Sequence, residues 1–211
     1  KIMPVTRRAA LTLTLSVLAA PALIRPARAA CAPVDLGAGI AFTRKDGSKC
    51  LAQREGDVVR IDYVTNRGAW TDIRRVKNGV FEVSRDVEES EEPMVGSSTP
   101  SYSWTYSPKI ITPVDGASWS GRVKEVVEVT ISDENSTVDR RRRRWDAIYR
   151  CFEPREVKLS GCTYQALTVE ATYSGDGGGH SIRWVYFPEI GLGLETRRNG
   201  TGNGLVAMGP A

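Results

Sequence analysis

Five consecutive arginines, Arg140–Arg144, are the most conspicuous residues for chemistry in this chain of 211 residues. Guanidinium groups make paired hydrogen bonds to carboxylates and phosphates, so the run could bind an anionic headgroup, cell-wall carboxylates or an acidic protein partner. In a β-strand, Arg141 and Arg143 would share a face with Trp145 and Tyr149. These four side chains are therefore candidate ligand-binding residues.

The competing interpretation of the run is a solvated, ion-paired hairpin, because charge runs are usually surface features. Opposite charges facing each other across two strands contribute about 0.2–1 kcal/mol per pair, which sets a register without creating a site. The acids available for this pairing are Glu125, Glu128, Asp133, Glu134, Glu88, Glu89, Glu91 and Glu92.

Aromatic side chains supply the second candidate feature. Trp184 and Tyr186 alternate on a later strand-like segment and complete the candidate ligand-binding set, and Tyr102, Trp104 and Tyr106 alternate in the same way. Such residues could line a hydrophobic or sugar-binding cleft, although aromatic residues of strands more often form ordinary core.

The sequence marks no catalytic residues. His180 is the only histidine; Asp176 is near it, but no motif marks a nucleophile that it could activate. The glycines between them lack the strand–turn–helix setting of a dinucleotide site, and Asp176 alone is poor support for calcium. We therefore expect no cofactor and no metal site, and an enzyme ranks last among the functions considered.

Four cysteines, Cys31, Cys50, Cys151 and Cys162, suggest disulfides in an oxidising compartment. Four cysteines allow three pairings. We favour Cys151–Cys162 and Cys31–Cys50, because each bond closes a local loop.

The first residues have the pattern of a secretory signal peptide. A basic start precedes an apolar stretch from Ala9 to about Ile24, and Ala27-Arg28-Ala29 fits a cleavage site. The stretch is shorter than the roughly 20 residues of a membrane span. We expect residues 1–29 to be removed and residues 30–211 to form a single domain in the bacterial periplasm, with no transmembrane span.

Two arginine positions in this leader bear on the export route and on a possible lipid anchor. The pair Arg7-Arg8 leaves twin-arginine and general secretory export as alternatives. Arg28 argues against a lipid anchor on Cys31, because lipoprotein signals carry an apolar residue three positions before the cysteine.

Cleavage would change the charge balance of the protein. Residues 1–29 contain five basic and no acidic side chains, so 29 basic residues fall to 24 against 25 acidic ones, a net charge of −1. The basic pI of the full chain then belongs to the leader, and we expect no nucleic-acid partner.

The remaining sequence predicts strands that are bounded by turn signals. Apolar and polar residues alternate in segments 58–64, 80–87, 122–131, 164–174 and 180–187, and Asn78-Gly79 is a strong hairpin dipeptide. The prolines at 100, 108 and 113 favour an edge strand or long loop, and the glycine-rich tail from Asn199 is expected to fray. With no clear helix, the chain is predicted to be all-β, an antiparallel meander forming a curved sheet, a partly closed barrel or a sandwich.

Two adjoining stretches resemble secreted proteobacterial β-meander proteins of unknown function. VKLSGCTYQALTVEAT is similar to one of their strand pairs and RWVYFPEIGLGLETR to the hairpin that follows; Cys162 is the departure from the pattern. The resemblance implies an extracytoplasmic antiparallel meander, likened to the half-barrel of periplasmic lipoprotein carriers, and no catalytic residues. The matching positions are Val157, Gly161, Tyr164, Ala166, Val169, Trp184, Tyr186, Pro188, Gly191 and Leu194.

These observations favour non-catalytic binding of an envelope component, such as a lipid-like or other amphiphilic ligand on the concave face of the sheet. The alternative is a structural or protein-interaction module of the envelope that meets an acidic partner through the arginine run.

Overall fold

The computed structural model describes residues 31, 34–64, 70–89, 98–131, 137–176 and 178–211. The expected signal peptide lies outside this description. So do the predicted pairing partners Asp133, Glu134, Glu91 and Glu92, and the side chain of Glu89. Residues Cys31–Ala211 form one compact unit. No helix among the described residues is long and apolar enough to cross a membrane.

Thirteen antiparallel strands form one curled, half-barrel sheet in the described chain, which confirms the predicted all-β meander. Each strand from β1 to β11 pairs with the next strand along the chain, and β13 returns to pair with β1. The strands are β1 Ile40–Arg44, β2 Lys49–Glu55, β3 Val58–Val64, β4 Trp70–Lys77, β5 Phe81–Glu89, β6 Ser98–Ser107, β7 Ser118–Ile131, β8 Thr137–Leu159, β9 Cys162–Gly175, β10 Gly178–Phe187, β11 Leu192–Arg198, β12 Thr201–Gly202 and β13 Leu205–Pro210.

Two predictions about strand position are wrong. The tail does not fray, because Leu205–Pro210 pairs with β1 and so covers the edge of that strand. The edge-strand prediction for the proline-rich segment is wrong, since its first part forms the internal strand β6, which pairs with both β5 and β7. The predicted loop follows at residues 108–117, which include Pro108 and Pro113. Proline has no N–H to donate to a neighbouring strand. Pro100 is tolerated because β5 pairs only with Ser101–Ser103, so Pro100 lies beyond the part of β6 that is hydrogen-bonded to β5.

The predicted hairpin at Asn78-Gly79 is present, and its tip contacts a distant part of the sheet. Both residues have positive φ, as a tight turn requires. Gly193 N donates a hydrogen bond to Gly79 O at 3.0 Å. A Cβ on Gly79 would lie 2.7 Å from the carbonyl oxygen of Gly191, so glycine is required for this approach.

The core consists of two clusters of buried apolar side chains. The first joins β1–β3 and β13 to the ends of β8–β11, and the second lies among β5–β10 and is mainly aromatic. Alternation on β10 points Trp184 and Tyr186 into the second cluster and Val185 and Phe187 into the first. The end of β10 is therefore covered on both faces, and the interior is filled by side chains.

The expected cysteine pairings are wrong. Cys31 bonds to Cys162, whereas Cys50 and Cys151 are free thiols. Cys50 lies in the first core cluster and Cys151 in the second, so strand alternation has buried both among apolar neighbours. Burial raises the pKa of the Cys50 thiol to about 12.

Candidate binding groove

A groove of about 320 Å³ opens where β5–β8 meet the start of β10 and the end of β11. Its walls combine aromatic rings with charged groups; we call it the aromatic groove. The lining residues are Glu82, Arg85, Tyr102, Trp104, Tyr106, Glu125, Arg143, Trp145, Tyr173, Gly179, His180, Ile182, Arg198 and Asn199.

Glu82 is a buried carboxylate with spare hydrogen-bonding capacity at the groove. The residue is 8% exposed, and its Oε1 has no hydrogen-bond partner. Arg74 Nε lies 3.9 Å from Oε1 and Arg198 Nη2 lies 3.6 Å from Oε2. Burial raises the pKa of Glu82, although Arg74, Arg198 and Arg85 oppose that shift. Oε1 is itself buried and lies on the Arg74 side of the carboxylate, so Glu82 contributes negative charge to the groove lining.

Behind Glu82 lies a cluster of buried charges, the ion cluster, formed by Asp72, Arg74, Glu82, Arg85, Glu195 and Arg198. Arg74 is 8% exposed; its Nη1 donates to Glu195 Oε2 at 2.6 Å and its Nη2 to Asp72 Oδ2 at 2.7 Å. The guanidinium carbon of Arg74 also lies 4.6 Å from the centre of the Tyr63 ring. Arg74 thus ties β4 to β11 across the interior.

Two arginines connect the ion cluster to the groove wall. Arg198 makes two hydrogen bonds to Glu195, and Arg85 makes two to Asp72. Burial would raise the pKa of Glu195, but the charges of Arg74 and Arg198 overcome this effect and lower that pKa to about 2. Arg85 and Arg198 are thereby held in place with part of each guanidinium facing the groove.

The opposite wall contains a second buried carboxylate, Glu125, which is 7% exposed. Trp145 Nε1 donates to Glu125 Oε2 at 2.9 Å, and Arg143 Nη1 lies 3.8 Å from the same oxygen. The side chain of Arg143 is 44% exposed. Because its ion pair is long, Arg143 is the cation of this wall with most freedom to contact a ligand.

Two stacked rings form the aromatic side of the groove. Tyr102 and Trp104 lie with their ring centres 5.7 Å apart and nearly parallel, and the guanidinium of Arg85 lies 5.5 Å from the Tyr102 ring. Both residues are half-buried. Tyr106, next along the same face, donates its hydroxyl to the backbone oxygen of Glu82. β6 thus presents a flat aromatic surface beside the carboxylates.

His180 lies at the floor of the groove between two rings. It stacks on Tyr173 with ring centres 4.3 Å apart and meets the edge of Trp145 at 5.1 Å. Burial and, to a smaller extent, the charge of Arg198 lower its pKa. The imidazole is therefore neutral near pH 7 and functions as part of an aromatic wall.

The predicted ligand-binding residues are divided by the structure. Arg143 and Trp145 line the aromatic groove. Tyr149, Trp184 and Tyr186 lie in the second core cluster, at most 5% exposed. Tyr149 stacks between Phe81 and Trp184, which makes these rings part of the scaffold.

Arg141 lies on the arginine run, outside the groove. The predicted pairing of the run is confirmed for Arg140 with Glu128 and for Arg143 with Glu125, whereas Arg141 pairs with Asp139. β9 pairs with β8 only from Trp145 onward. Among the described strands, Val138–Arg143 therefore pairs with β7 on one side and has no partner strand on the other. Charged side chains on such an edge discourage pairing with another sheet.

Sequence reasoning missed Glu82 and the rest of the ion cluster, and it named Glu125 only as an ion-pair partner of the arginine run. Arg74 and Glu195 are 121 residues apart, so no local spacing connects them. One signal was available: alternation on β4 places Arg74 on the same face as Val76, which is a core residue. A charged residue at a core position requires a buried partner.

The chain matches no protein-family model, and no curated protein is significantly similar to it. Among solved structures it is similar to the hypothetical lipoprotein YmcC from Escherichia coli (K12), with a TM-score of 0.41 and 9% sequence identity. The alignment covers 85% of this chain and 92% of the other.

Proposed function

We propose that this protein is a non-catalytic binding module of the bacterial envelope, and that its aromatic groove holds an acidic saccharide. The observation that carries the proposal is a groove whose walls combine aromatic rings and carboxylates with the partly exposed Arg143. Ligand sites combine apolar surface with a few placed polar groups, and this groove has both.

Each wall of the groove suits one part of such a ligand. The C–H face of a sugar ring is apolar and can stack on the flat surface of Tyr102 and Trp104. Hydroxyl groups can donate to the carboxylates that line the groove, Glu82 and Glu125, since a carboxylate accepts several hydrogen bonds. A carboxylate or phosphate on the sugar can pair with Arg143. A lipid chain fits this groove less well, because charged groups line both walls and the interior is packed.

Export is part of the proposal and has its own support. The signal-like first 29 residues and the Cys31–Cys162 bond are both typical of proteins that mature in an oxidising compartment.

Calorimetric titration tests the proposed ligand. The two titrants are an acidic oligosaccharide and the same oligosaccharide after reduction of its carboxylates. The native protein should bind the acidic form more tightly. Arg143→Gln should weaken that binding by about tenfold or more, because a hydrogen bond to a charged group is lost. The affinity for the neutral form should not change.

Arg141→Gln is the matched control, since it removes an arginine two residues away that lies outside the groove. It should leave both affinities unchanged. The proposal fails if the native protein binds neither oligosaccharide, or if Arg143→Gln binds the acidic form as tightly as the native protein. Recovery of a shortened oligosaccharide would assign the groove to catalysis.

The runner-up function is docking of an acidic protein partner on the arginine run. The edge of β8 at Val138–Arg143, which has no partner strand among the described residues, favours this function, because an extended acidic segment could add there as a further strand. A glutamate-rich extended peptide should then bind with steep salt dependence, and Arg142→Thr with Arg144→Thr should weaken that binding. Equal binding by the native protein and this variant would exclude the edge as a docking site.

A further inference from the structure

The two edges of the sheet approach each other at a seam. The edge strands β12 and β13 are joined by only two residues, Asn203 and Gly204. Asn203 N donates to Thr196 O on β11, and Lys45 N donates to Gly204 O, both at 2.8 Å. The connection therefore bonds to β11 on one side and to the β1–β2 turn on the other.

A pocket of about 430 Å³, the seam pocket, opens beside this connection. Its apolar side is formed by Val157 and Leu159 of β8, Val185 of β10 and Leu205 of β13. Leu159 and Val185 are 5% and 7% exposed and belong to the first core cluster, while Val157 and Leu205 pack against that cluster. The pocket is thus an opening onto an apolar surface.

The rim of the seam pocket is basic. Lys45, Arg155, Lys158, Arg183 and Arg197 line it, and no carboxylate does. Arg183 is neutralised by Glu170. Lys158 lies on the opposite face of β8 from Val157 and Leu159, so its charge points away from the apolar side. Lys45, Arg155 and Arg197 take part in no ion pair with the described acids, so their positive charge is left unbalanced around one opening.

Strand alternation places charge and apolar surface on the same side of the sheet. Arg155 shares a face with Val157 and Leu159, and Arg183 shares a face with Val185. The stem of Lys45 lies over Gly204, where a Cβ would be 3.3 Å from Lys45 Cε. Glycine at 204 therefore leaves room for this lysine at the rim.

We propose that the seam pocket binds an anionic lipid, with a phosphate headgroup held by the basic rim and the first part of an apolar chain on the Val157–Leu159 surface. Guanidinium and ammonium groups both bind phosphate, and three unpaired cations around one opening attract a dianion. The apolar surface distinguishes this pocket from a site for a free anion. The ligand differs from that of the aromatic groove, so this proposal stands independently of the proposed function.

The test uses three soluble probes that separate headgroup from chain: dihexanoyl phosphatidic acid, inorganic phosphate and dihexanoyl phosphatidylcholine, each below its micelle concentration. Phosphatidic acid should bind most tightly. Inorganic phosphate should bind more weakly by about tenfold for every two methylene groups that the lipid buries. Phosphatidylcholine should bind more weakly because it presents no dianion.

Lys45→Gln with Arg155→Gln should weaken binding of phosphatidic acid and inorganic phosphate by about tenfold or more. Lys124→Gln with Arg150→Gln removes the same charge from exposed positions outside the pocket and should change neither affinity. Val157→Thr, nearly equal in size, should weaken phosphatidic acid alone. Circular dichroism confirms that each variant is folded before it is titrated.

Three results would overturn the proposal. Phosphatidic acid does not bind, or it binds the Lys45→Gln, Arg155→Gln variant as tightly as the native protein. Inorganic phosphate binds as tightly as the lipid, which makes the pocket a simple anion site. Phosphatidylcholine binds as tightly as phosphatidic acid, which leaves the basic rim without a role.

Discussion

Two arginine-rich regions of this protein differ in burial and in the number of acidic groups that each arginine contacts. Arg74 in the ion cluster is 8% exposed and contacts carboxylates from three other positions. Arg141 in the arginine run has a side chain that is 65% exposed and pairs with one acid two residues away. The run is conspicuous in the sequence, whereas the ion cluster is visible only in the fold.

The difference shows that burial, and not the number of adjacent charges, decides what an arginine contributes. Exposed ion pairs contribute about 0–1 kcal/mol because water and salt screen them. Removing one member of a buried set leaves its partners charged in a poorly polarisable interior, at a cost of about 3–5 kcal/mol. Four substitutions or titrations test this contrast, in order of expected effect.

Arg74→Met should lower the free energy of unfolding by about 3–5 kcal/mol, because Glu195 and Glu82 lose a buried counter-charge. Arg141→Met, the same substitution on the arginine run, should change it by less than about 0.5 kcal/mol. Urea unfolding measures both. Equal effects of the two substitutions would contradict the contrast between the regions.

Acid should destabilise the protein through Glu195. Its folded-state pKa of about 2 lies below the ordinary value of 4.5, so its contribution is present above pH 4.5 and is lost as the pH falls toward 2. Relative to Glu195→Gln, the native protein should lose roughly 3 kcal/mol over that interval, since one pKa unit corresponds to about 1.4 kcal/mol. Parallel curves for the two proteins would show that Glu195 does not titrate abnormally.

His180 provides a smaller effect with a direct readout, because it is the only histidine in the chain. Its pKa is lowered in the fold, so the neutral form is stabilised above pH 6.5 and stability falls as the pH drops below that value. NMR titration of the single imidazole should give a pKa below 6.5. A value above 6.5 would mean that the imidazole is not enclosed between Tyr173 and Trp145.

Arg142→Thr with Arg144→Thr should have the smallest effect on stability, within about 0.5 kcal/mol, because neither side chain is buried. The variant should nevertheless associate with itself more readily than the native protein, since a β8 edge with two fewer charges resists pairing with a second copy less strongly. Sedimentation velocity measures this. A monomeric variant at high concentration would show that the arginines do not protect the edge.

The fold was predictable to the extent that it is local. Period-two alternation located β3, β9 and β10, and Asn78-Gly79 located a hairpin, because each signal lies within a few neighbouring residues. The pairing of β13 with β1 was not predictable, since it joins the two ends of the described domain. Part of the aromatic groove was predictable, because alternation from the arginine run located Arg143 and Trp145. Glu82 was not predictable, because only the fold brings it close to Arg198 of β11.

The bond between Cys31 and Cys162 has a consequence for how the chain matures. Cys31 is separated from Cys162 by 131 residues but lies much nearer to Cys50 in the sequence, so the cross-link that closes most readily in the unfolded chain is a non-native one. The assembled sheet buries Cys50 and raises its thiol pKa to about 12, which leaves almost no reactive thiolate. Correct oxidation therefore depends on strand assembly coming first, or on an isomerase that repairs the early error.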